Sequence, residues 1–161
     1  MKKTYAGSCH CGAVRFEAEI DFEAGTSRCN CSICMKRRNW NTLVKPDQFR
    51  LISGEEALSG YSFGTKQGNH SFCKHCGCAP FSSGDVPQLG GAFFAINLGS
   101  LDTMTDEEWA AIPITYGDGR NNAWWQPPAV VRERALLGAF RRREGMISDP
   151  ERIKKGPANR P

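Results

Sequence analysis

The chain has 161 residues, of which 40% are apolar and 24% charged, and its net charge is +4. This length suits one domain with a sizeable core. The mild charge suits a small anionic ligand and by itself does not indicate a nucleic-acid partner, so none is expected. No apolar run approaches the roughly 20 residues of a membrane span, and no signal-peptide h-region precedes Cys9, which predicts a cytoplasmic protein without a membrane partner.

Short strands account for most of the predicted elements. In residues 13–20 the apolar residues Val14, Phe16, Ala18 and Ile20 alternate with charged ones. This period of two is typical of a half-buried strand in an antiparallel sheet. Further strands are predicted at Asn41–Val44, Phe49–Ser53, residues 61–63 and residues 90–98.

Helix signals come late in the chain. Thr105 and Glu108 have the spacing of a capping box, which predicts a short helix that ends before Pro113. Residues 130–143 have an amphipathic pattern and predict a second helix. Residues 149–161 are basic and poor in apolar residues, which predicts a flexible tail after a single domain over residues 1–148.

The eight cysteines occur in clusters rather than singly. In a reducing compartment such clusters indicate metal ligands rather than disulfides, and the alternatives are a disulfide framework or thiols that only fill space in the core. Thiols two or three residues apart can converge on one ion, and zinc is the metal that such sets usually hold. The clusters are Cys9-x-Cys11, Cys29-x-Cys31-x-x-Cys34, and Cys73-x-x-Cys76 followed by Cys78.

Two of these clusters suit one closed zinc site. Cys9 and Cys11 precede a predicted strand, and Cys73 and Cys76 form a knuckle that Gly77 closes. Two knuckles far apart in sequence usually combine into one tetrahedral four-cysteine site. A closed site of this kind contributes to folding rather than to chemistry, so we interpret this zinc as structural.

The remaining cluster offers three ligands from one short segment. Three protein ligands with a fourth position open are typical of a reactive zinc site, and a soft thiolate centre favours binding of a substrate thiol. Cys29, Cys31 and Cys34 are therefore predicted to hold a second, labile zinc and to be the catalytic residues. A fourth ligand from the chain would make this site structural instead, and the candidates are Cys78, His10, His70 and His75.

The clusters lie in longer motifs along residues 5–102. These motifs are Gly7-Ser8-Cys9-His10-Cys11-Gly12, Cys29-Asn30-Cys31-Ser32-Ile33-Cys34, Ser53-Gly54-Glu55-Glu56-Ala57-Leu58-Ser59-Gly60-Tyr61, Phe72-Cys73-Lys74-His75-Cys76-Gly77 and Ile96-Asn97-Leu98-Gly99-Ser100-Leu101-Asp102. Their order and spacing resemble the glutathione-dependent formaldehyde-activating enzyme (Gfa-like) family, which shares its domain with centromere protein V. The second cluster commonly reads Cys-His-Cys in that family, whereas this chain has Asn30, and residues 37–41 also depart from the family pattern.

The resemblance implies a mainly β fold, a zinc-stabilised β-tent of antiparallel sheets with a short C-terminal helical segment. It also implies a structural zinc on Cys9, Cys11, Cys73 and Cys76, and a second zinc on Cys29, Cys31 and Cys34. The implied reaction is that of a carbon–sulfur lyase, joining formaldehyde and glutathione to S-hydroxymethylglutathione or reversing that step. The alternatives are a zinc module that binds glutathione or a related thiol without turnover, and a structural or interaction protein.

Two other segments offer ligand-binding side chains. Lys36, Arg37 and Arg38 suit the carboxylates of glutathione, or form a solvated basic turn. Trp124 and Trp125 suit the wall of a pocket, although packing of these side chains onto the sheet is the prediction that we favour.

Overall fold

Two β-sheets and two short helices make up the described part of this computed structural model, which is residues 1–131. The mainly β fold predicted from the sequence is confirmed. The helices are α1 (Ser32–Arg37) and α2 (Asp106–Ala111). The strands are β1 (Lys3–Ser8), β2 (Arg15–Ile20), β3 (Thr26–Cys29), β4 (Asn41–Val44), β5 (Phe49–Ser53), β6 (Leu58–Tyr61), β7 (Gly68–Cys73), β8 (Phe81–Val86), β9 (Gly91–Asn97) and β10 (Ile114–Gly117).

The strands form one small and one large sheet. The small sheet has the order β1-β2-β5, and the large one has the order β10-β3-β4-β9-β8-β7-β6. Neighbouring strands are antiparallel except β10, which runs parallel to β3. The described residues include no helix long and apolar enough to cross a bilayer.

Most of the predicted elements are confirmed. The strands at β2, β4, β5 and β9 are present, and Thr105 and Glu108 make the predicted capping box at the start of α2. The strand predicted at residues 61–63 is wrong, because β6 ends at Tyr61, and Gly64 and Lys66 then adopt positive φ angles that turn the chain towards β7. The predicted helix at 130–143 and the tail at 149–161 lie outside the described residues, and the domain boundary at 148 stays a prediction.

The core lies between the two sheets. Phe16, Ala18 and Ile20 of β2 are each 1% exposed, as the alternating sequence pattern requires, and they share one cluster with Val44 of β4 and Ile96 of β9. Aromatic rings from both sheets interlock within this layer, since the ring centroids of Phe16 and Phe81 are 5.6 Å apart. One face of the large sheet is thus covered by the small sheet.

The opposite face of the large sheet is the floor of a cavity. Because side chains alternate along a strand, residues paired across strands share a face. Ser27 pairs with Asn41, and Leu43 pairs with Ala95, so these four side chains lie on the face opposite to the core, where they line the cavity. The first ligand of the second cysteine cluster, Cys29, has the same strand parity as Ser27. The fold therefore directs this cluster towards the cavity.

The small sheet depends on a close backbone approach at Gly54. Gly54 has φ +89°, and a Cβ added there would overlap the carbonyl oxygen of Ala13. Gly90 has nearly the same backbone conformation, with φ +84°, but its Cβ would meet only the flexible end of Lys45 at 3.1 Å. The two glycines therefore differ in available space and not in backbone geometry.

We predict that Gly90→Ala lowers the free energy of unfolding by about 1 kcal/mol, which is the usual cost of a left-handed non-glycine residue. Gly54→Ala should cost about 2 kcal/mol more, because the backbone of the β1–β2 connection must move. Urea denaturation of both variants measures the difference. Equal losses would contradict the close approach between Gly54 and Ala13.

Candidate metal centres and the adjoining cavity

Two cysteine knuckles from different sheets meet at the first cluster. Cys9 and Cys11 lie in the connection between β1 and β2, whereas Cys73 is the last residue of β7 and Cys76 lies in the turn that follows. A glycine closes each knuckle in a left-handed conformation, with φ +74° at Gly12 and the nearly equal +73° at Gly77. Both turns therefore use a residue that tolerates a positive φ, and at Gly77 this is the closing position that the sequence predicted.

The spacing of the four sulfurs fits a zinc ion. All four lie within 4.8 Å of one another. The Sγ atoms of Cys9 and Cys11 are 3.5 Å apart, and those of Cys11 and Cys73 are 3.7 Å apart. A tetrahedral site with bonds of about 2.3 Å places its sulfurs about 3.8 Å apart. The four residues could therefore hold zinc with little movement.

Backbone N–H groups stabilise ionised sulfurs in this cluster. Burial raises the pKa of Cys76, but N–H groups of Cys78 and Cys11 donate to its sulfur, and the pKa falls to about 6. Burial likewise opposes ionisation of Cys9, but the N–H of Val14 donates to its Sγ over 3.3 Å, and its pKa is lowered. Such N–H donors orient and stabilise metal-bound thiolates.

Cys78 lies beside the first cluster. Its sulfur accepts a hydrogen bond from the backbone N–H of His10 and also contacts Cys76. Its carbonyl accepts a hydrogen bond of 2.8 Å from the N–H of Cys73, which fixes it to the same knuckle. Cys78 is not among the sulfurs that converge at the second cluster.

The second cluster is built at the junction of β3 and α1. Cys29 is the last residue of β3, Cys31 is the N-cap of α1, and Cys34 lies in the middle of that helix. Their three sulfurs lie within 4.8 Å of one another. Arg38 ends α1 in a left-handed conformation and donates its backbone N–H to the carbonyl of Cys34, which keeps the helix to six residues.

The second cluster contains one strongly stabilised thiolate position. The thiols of Cys29 and Cys34 donate to Cys31, as do the backbone N–H groups of Cys34 and Ile33, and the pKa of Cys31 falls to about 2. The pKa of Cys34 is raised, because its thiol donates to Cys29 and Cys31. The N–H of Cys31 in turn donates to Cys29 Sγ over 3.3 Å. Three converging sulfurs that accept hydrogen bonds from backbone N–H groups are a ligand set that fits zinc.

The second cluster opens into a cavity of about 1080 Å³. All three of its cysteines line this space, whereas none of the first cluster does. The floor is the outer face of the large sheet, with Leu43 and Phe93 among its apolar residues. A large, mostly apolar concavity with a few polar groups is typical of a ligand site.

His70 lies in the wall of the same cavity. Its ring stacks on Phe63, with the centroids 5.5 Å apart, and its Nδ1 is buried without a hydrogen-bond partner in the described residues. Burial lowers the pKa of His70, and the positive charge of Arg37 lowers it further, so the imidazole is neutral at neutral pH. His70 does not reach the three sulfurs closely enough to join their cluster.

A loop that follows β10 covers one side of the second cluster. A Cβ at Gly119 would overlap Cys29 Sγ and would lie 2.8 Å from Trp124 Nε1 and 3.2 Å from Cys31 Cβ. Only a glycine allows this loop to approach the sulfur, and the approach brings the Trp124 indole nitrogen close to Cys29. Sequence analysis missed Gly119, because nothing near it in sequence indicates a contact 90 residues away.

The predicted roles of the flanking residues need correction. Trp124 and Trp125 do not pack onto the sheet, since they are 37% and 64% exposed and line the cavity. They project there because the backbone N–H of Asp118 reaches back to the carbonyl of Ala123, which folds the loop on itself. Lys36 and Arg38 are exposed and Arg37 donates to the carbonyl of Ser71, and none of the three lines the cavity.

The motifs and this geometry agree with a comparison of the chain against known families. The sequence model described as "Glutathione-dependent formaldehyde-activating enzyme" matches residues 4–116. The chain belongs to this family. A Halomonas elongata protein named "Putative glutathione-dependent formaldehyde-activating enzyme" is 35% identical over 81 residues, which are 45% of this chain. The chain spans about half the length of this curated relative, 52%.

A crystal structure of a Rhodobacter sphaeroides protein is similar to this chain, with a TM-score of 0.58 and 30% sequence identity. The similarity covers 68% of this chain and 99% of the other. Both cysteine clusters fall inside the segment that matches the glutathione-dependent formaldehyde-activating enzyme family. The loop that carries Gly119 and Trp124 lies after that segment, so it is a feature of this chain beyond the family match.

The two neighbouring cysteines of the β7 knuckle allow a matched test of the first cluster. We expect Cys76→Ser to lower the zinc content of the purified chain by about one ion and the free energy of unfolding by about 3 kcal/mol or more, because metal binding and folding are linked. Cys78→Ser should retain both. Zinc analysis and thermal unfolding measure the effects, and equal behaviour of the two variants would contradict the ligand set.

Proposed function

We propose that this protein is a zinc-dependent carbon–sulfur lyase that combines glutathione, or a related thiol, with formaldehyde, and that also reverses this reaction. The observation that carries the proposal is the position of Cys29, Cys31 and Cys34. These three cysteines of a family chain open into a cavity with no fourth cysteine or histidine joined to them in the described residues. A zinc ion held by these three cysteines would therefore have a fourth position for a ligand from outside the chain.

The reaction is an addition. The thiol sulfur bonds to the aldehyde carbon, the carbonyl π bond opens, and the thiol proton ends on the new hydroxyl oxygen. No oxidant or reductant is needed. Zinc held by the three cysteines would supply the Lewis acidity that ionises the substrate thiol.

Two side chains of the cavity are suited to transfer the thiol proton and to stabilise the negative charge that develops on the aldehyde oxygen. His70 is the only imidazole among the described lining residues, and because it is neutral it can accept the thiol proton and return it to the oxygen. Trp124 Nε1 carries an N–H close to Cys29, where it can donate to the oxygen that gains charge. Both residues are proposed from their position in the cavity.

We further propose that the first cluster holds a second, structural zinc, so that the chain carries two ions. Cys9, Cys11, Cys73 and Cys76 make a complete set of four ligands that leaves no position for substrate. Reduced thiols at both clusters require a reducing environment, which fits the predicted cytoplasmic location. The proposed domain over residues 1–148 includes both clusters.

The rate of exchange between glutathione and its hydroxymethyl adduct at equilibrium tests whether this protein is an enzyme or a module that only binds the thiol. Free thiol and formaldehyde combine without a catalyst, so the rate of interconversion between glutathione and its hydroxymethyl adduct is measured by NMR exchange spectroscopy with and without protein. We predict faster exchange with the zinc-loaded chain and with Cys78→Ser, and the uncatalysed rate with Cys31→Ser.

Unchanged exchange in the presence of saturable glutathione binding would contradict the lyase and support a thiol-binding module. Neither exchange nor binding, in protein with full zinc content, would support a structural or interaction role. The Cys31→Ser result is interpreted only if unfolding shows that the first cluster and the fold are retained.

A further inference from the structure

We infer that Arg120 binds an anionic group of the thiol substrate, and that Asn30 is the residue that holds Arg120 at the cavity. This inference rests on the proposed function and assigns the substrate class of the site as thiols that carry a carboxylate. From the sequence alone, the basic residues at 36–38 were instead considered for the carboxylates, with a solvated basic turn as the alternative.

Asn30 connects the second cluster to the loop after β10 by three hydrogen bonds. Its side-chain N–H donates to Asp118 Oδ1 over 2.6 Å, and its Oδ1 accepts from the backbone N–H of Arg120 over 2.8 Å. Its own backbone N–H donates to the carbonyl of Gly117 over 3.1 Å. Asn30 lies between two of the cysteines, so these bonds fix the loop relative to the cluster itself.

The same bonds fix the backbone from which the Arg120 side chain extends. Asn30 and Asn121 both donate to the Asp118 carboxylate, which lowers the Asp118 pKa, and the Arg120 charge adds to that effect. The Asp118 oxygens are thereby engaged by amide groups. Within residues 1–131 the Arg120 side chain makes no hydrogen bond or ion pair, which leaves its guanidinium available for a ligand.

Arg120 is also the one cation of the cavity. Among the described residues that line it, no other Arg or Lys occurs, and neither Asp nor Glu does. Arg120 follows Gly119, whose backbone packs against Cys29, so the guanidinium extends from a point beside the cluster. A thiol bound at the cysteines would place its carboxylate within reach of this side chain. A planar guanidinium suits a carboxylate because two parallel N–H donors match its two oxygens.

Glutathione and its diethyl ester test this inference, because they have the same thiol and differ in the two carboxylates. Binding of each to the zinc-loaded full chain is measured by isothermal titration calorimetry. The wild type should bind glutathione about tenfold more tightly than the ester, the usual worth of one charge-assisted hydrogen-bond pair. Arg120→Gln should remove most of this preference, because it weakens the binding of glutathione and leaves the binding of the ester unchanged. Arg120→Lys should retain part of the preference.

Arg38→Gln is the matched control, since Arg38 is an exposed arginine near the same cluster that does not line the cavity. It should keep the wild-type preference. Asn30→Ala should lose the preference for glutathione over its ester and retain its zinc content. The double variant of Asn30→Ala and Arg120→Gln should show no further loss, because both changes remove the same interaction.

An Arg120→Gln variant that still prefers glutathione to its ester, or an Arg38→Gln variant that loses the preference, would overturn the assignment. Additive losses in the double variant would overturn the positioning role of Asn30. A wild type that binds neither thiol would instead contradict the proposed function, so the two failures can be told apart.

Discussion

Four sulfurs from two sheets meet within 4.8 Å of one another, and this is the arrangement on which the proposed account of the fold rests. Cys9 and Cys11 belong to a connection within the small sheet, whereas Cys73 ends a strand of the large one and Cys76 lies in the turn after it. The apolar layer between the two sheets is non-directional, whereas a tetrahedral metal site imposes one geometry. A zinc ion there would fix the relative position of the sheets, and with it the outer face of the large sheet that forms the cavity floor.

The two clusters share the same local chemistry and differ in their surroundings. In each, backbone N–H groups donate to sulfur and favour the ionised form that a metal requires. The difference lies in what surrounds them. The first cluster has four sulfurs from two knuckles, whereas the second has three and faces the cavity, where Gly119 allows a backbone loop to approach Cys29. The number of sulfurs and the adjoining cavity, rather than the type of ligand, distinguish the two sites.

Features that rest on local spacing could be predicted from the sequence. The cysteine clusters, the strand from Phe16 to Ile20 and the capping box of Thr105 need only neighbours in sequence. The loop over the second cluster could not be predicted, because Asn30 and Asp118 are 88 residues apart and their bond exists only when β10 lies beside β3. The exposure of Trp124 likewise depends on where that loop folds back, since a tryptophan packs equally well on a sheet or in a cavity wall.

We propose that one zinc site is complete and that the other is open to a thiol. X-ray absorption at the zinc edge of the fully loaded chain distinguishes this arrangement from two closed sites. We expect about 3.5 sulfurs per zinc on average without substrate, rising to about 4 when glutathione is added. An average of 4 sulfurs before any thiol is added, unchanged by glutathione, would contradict an open second site.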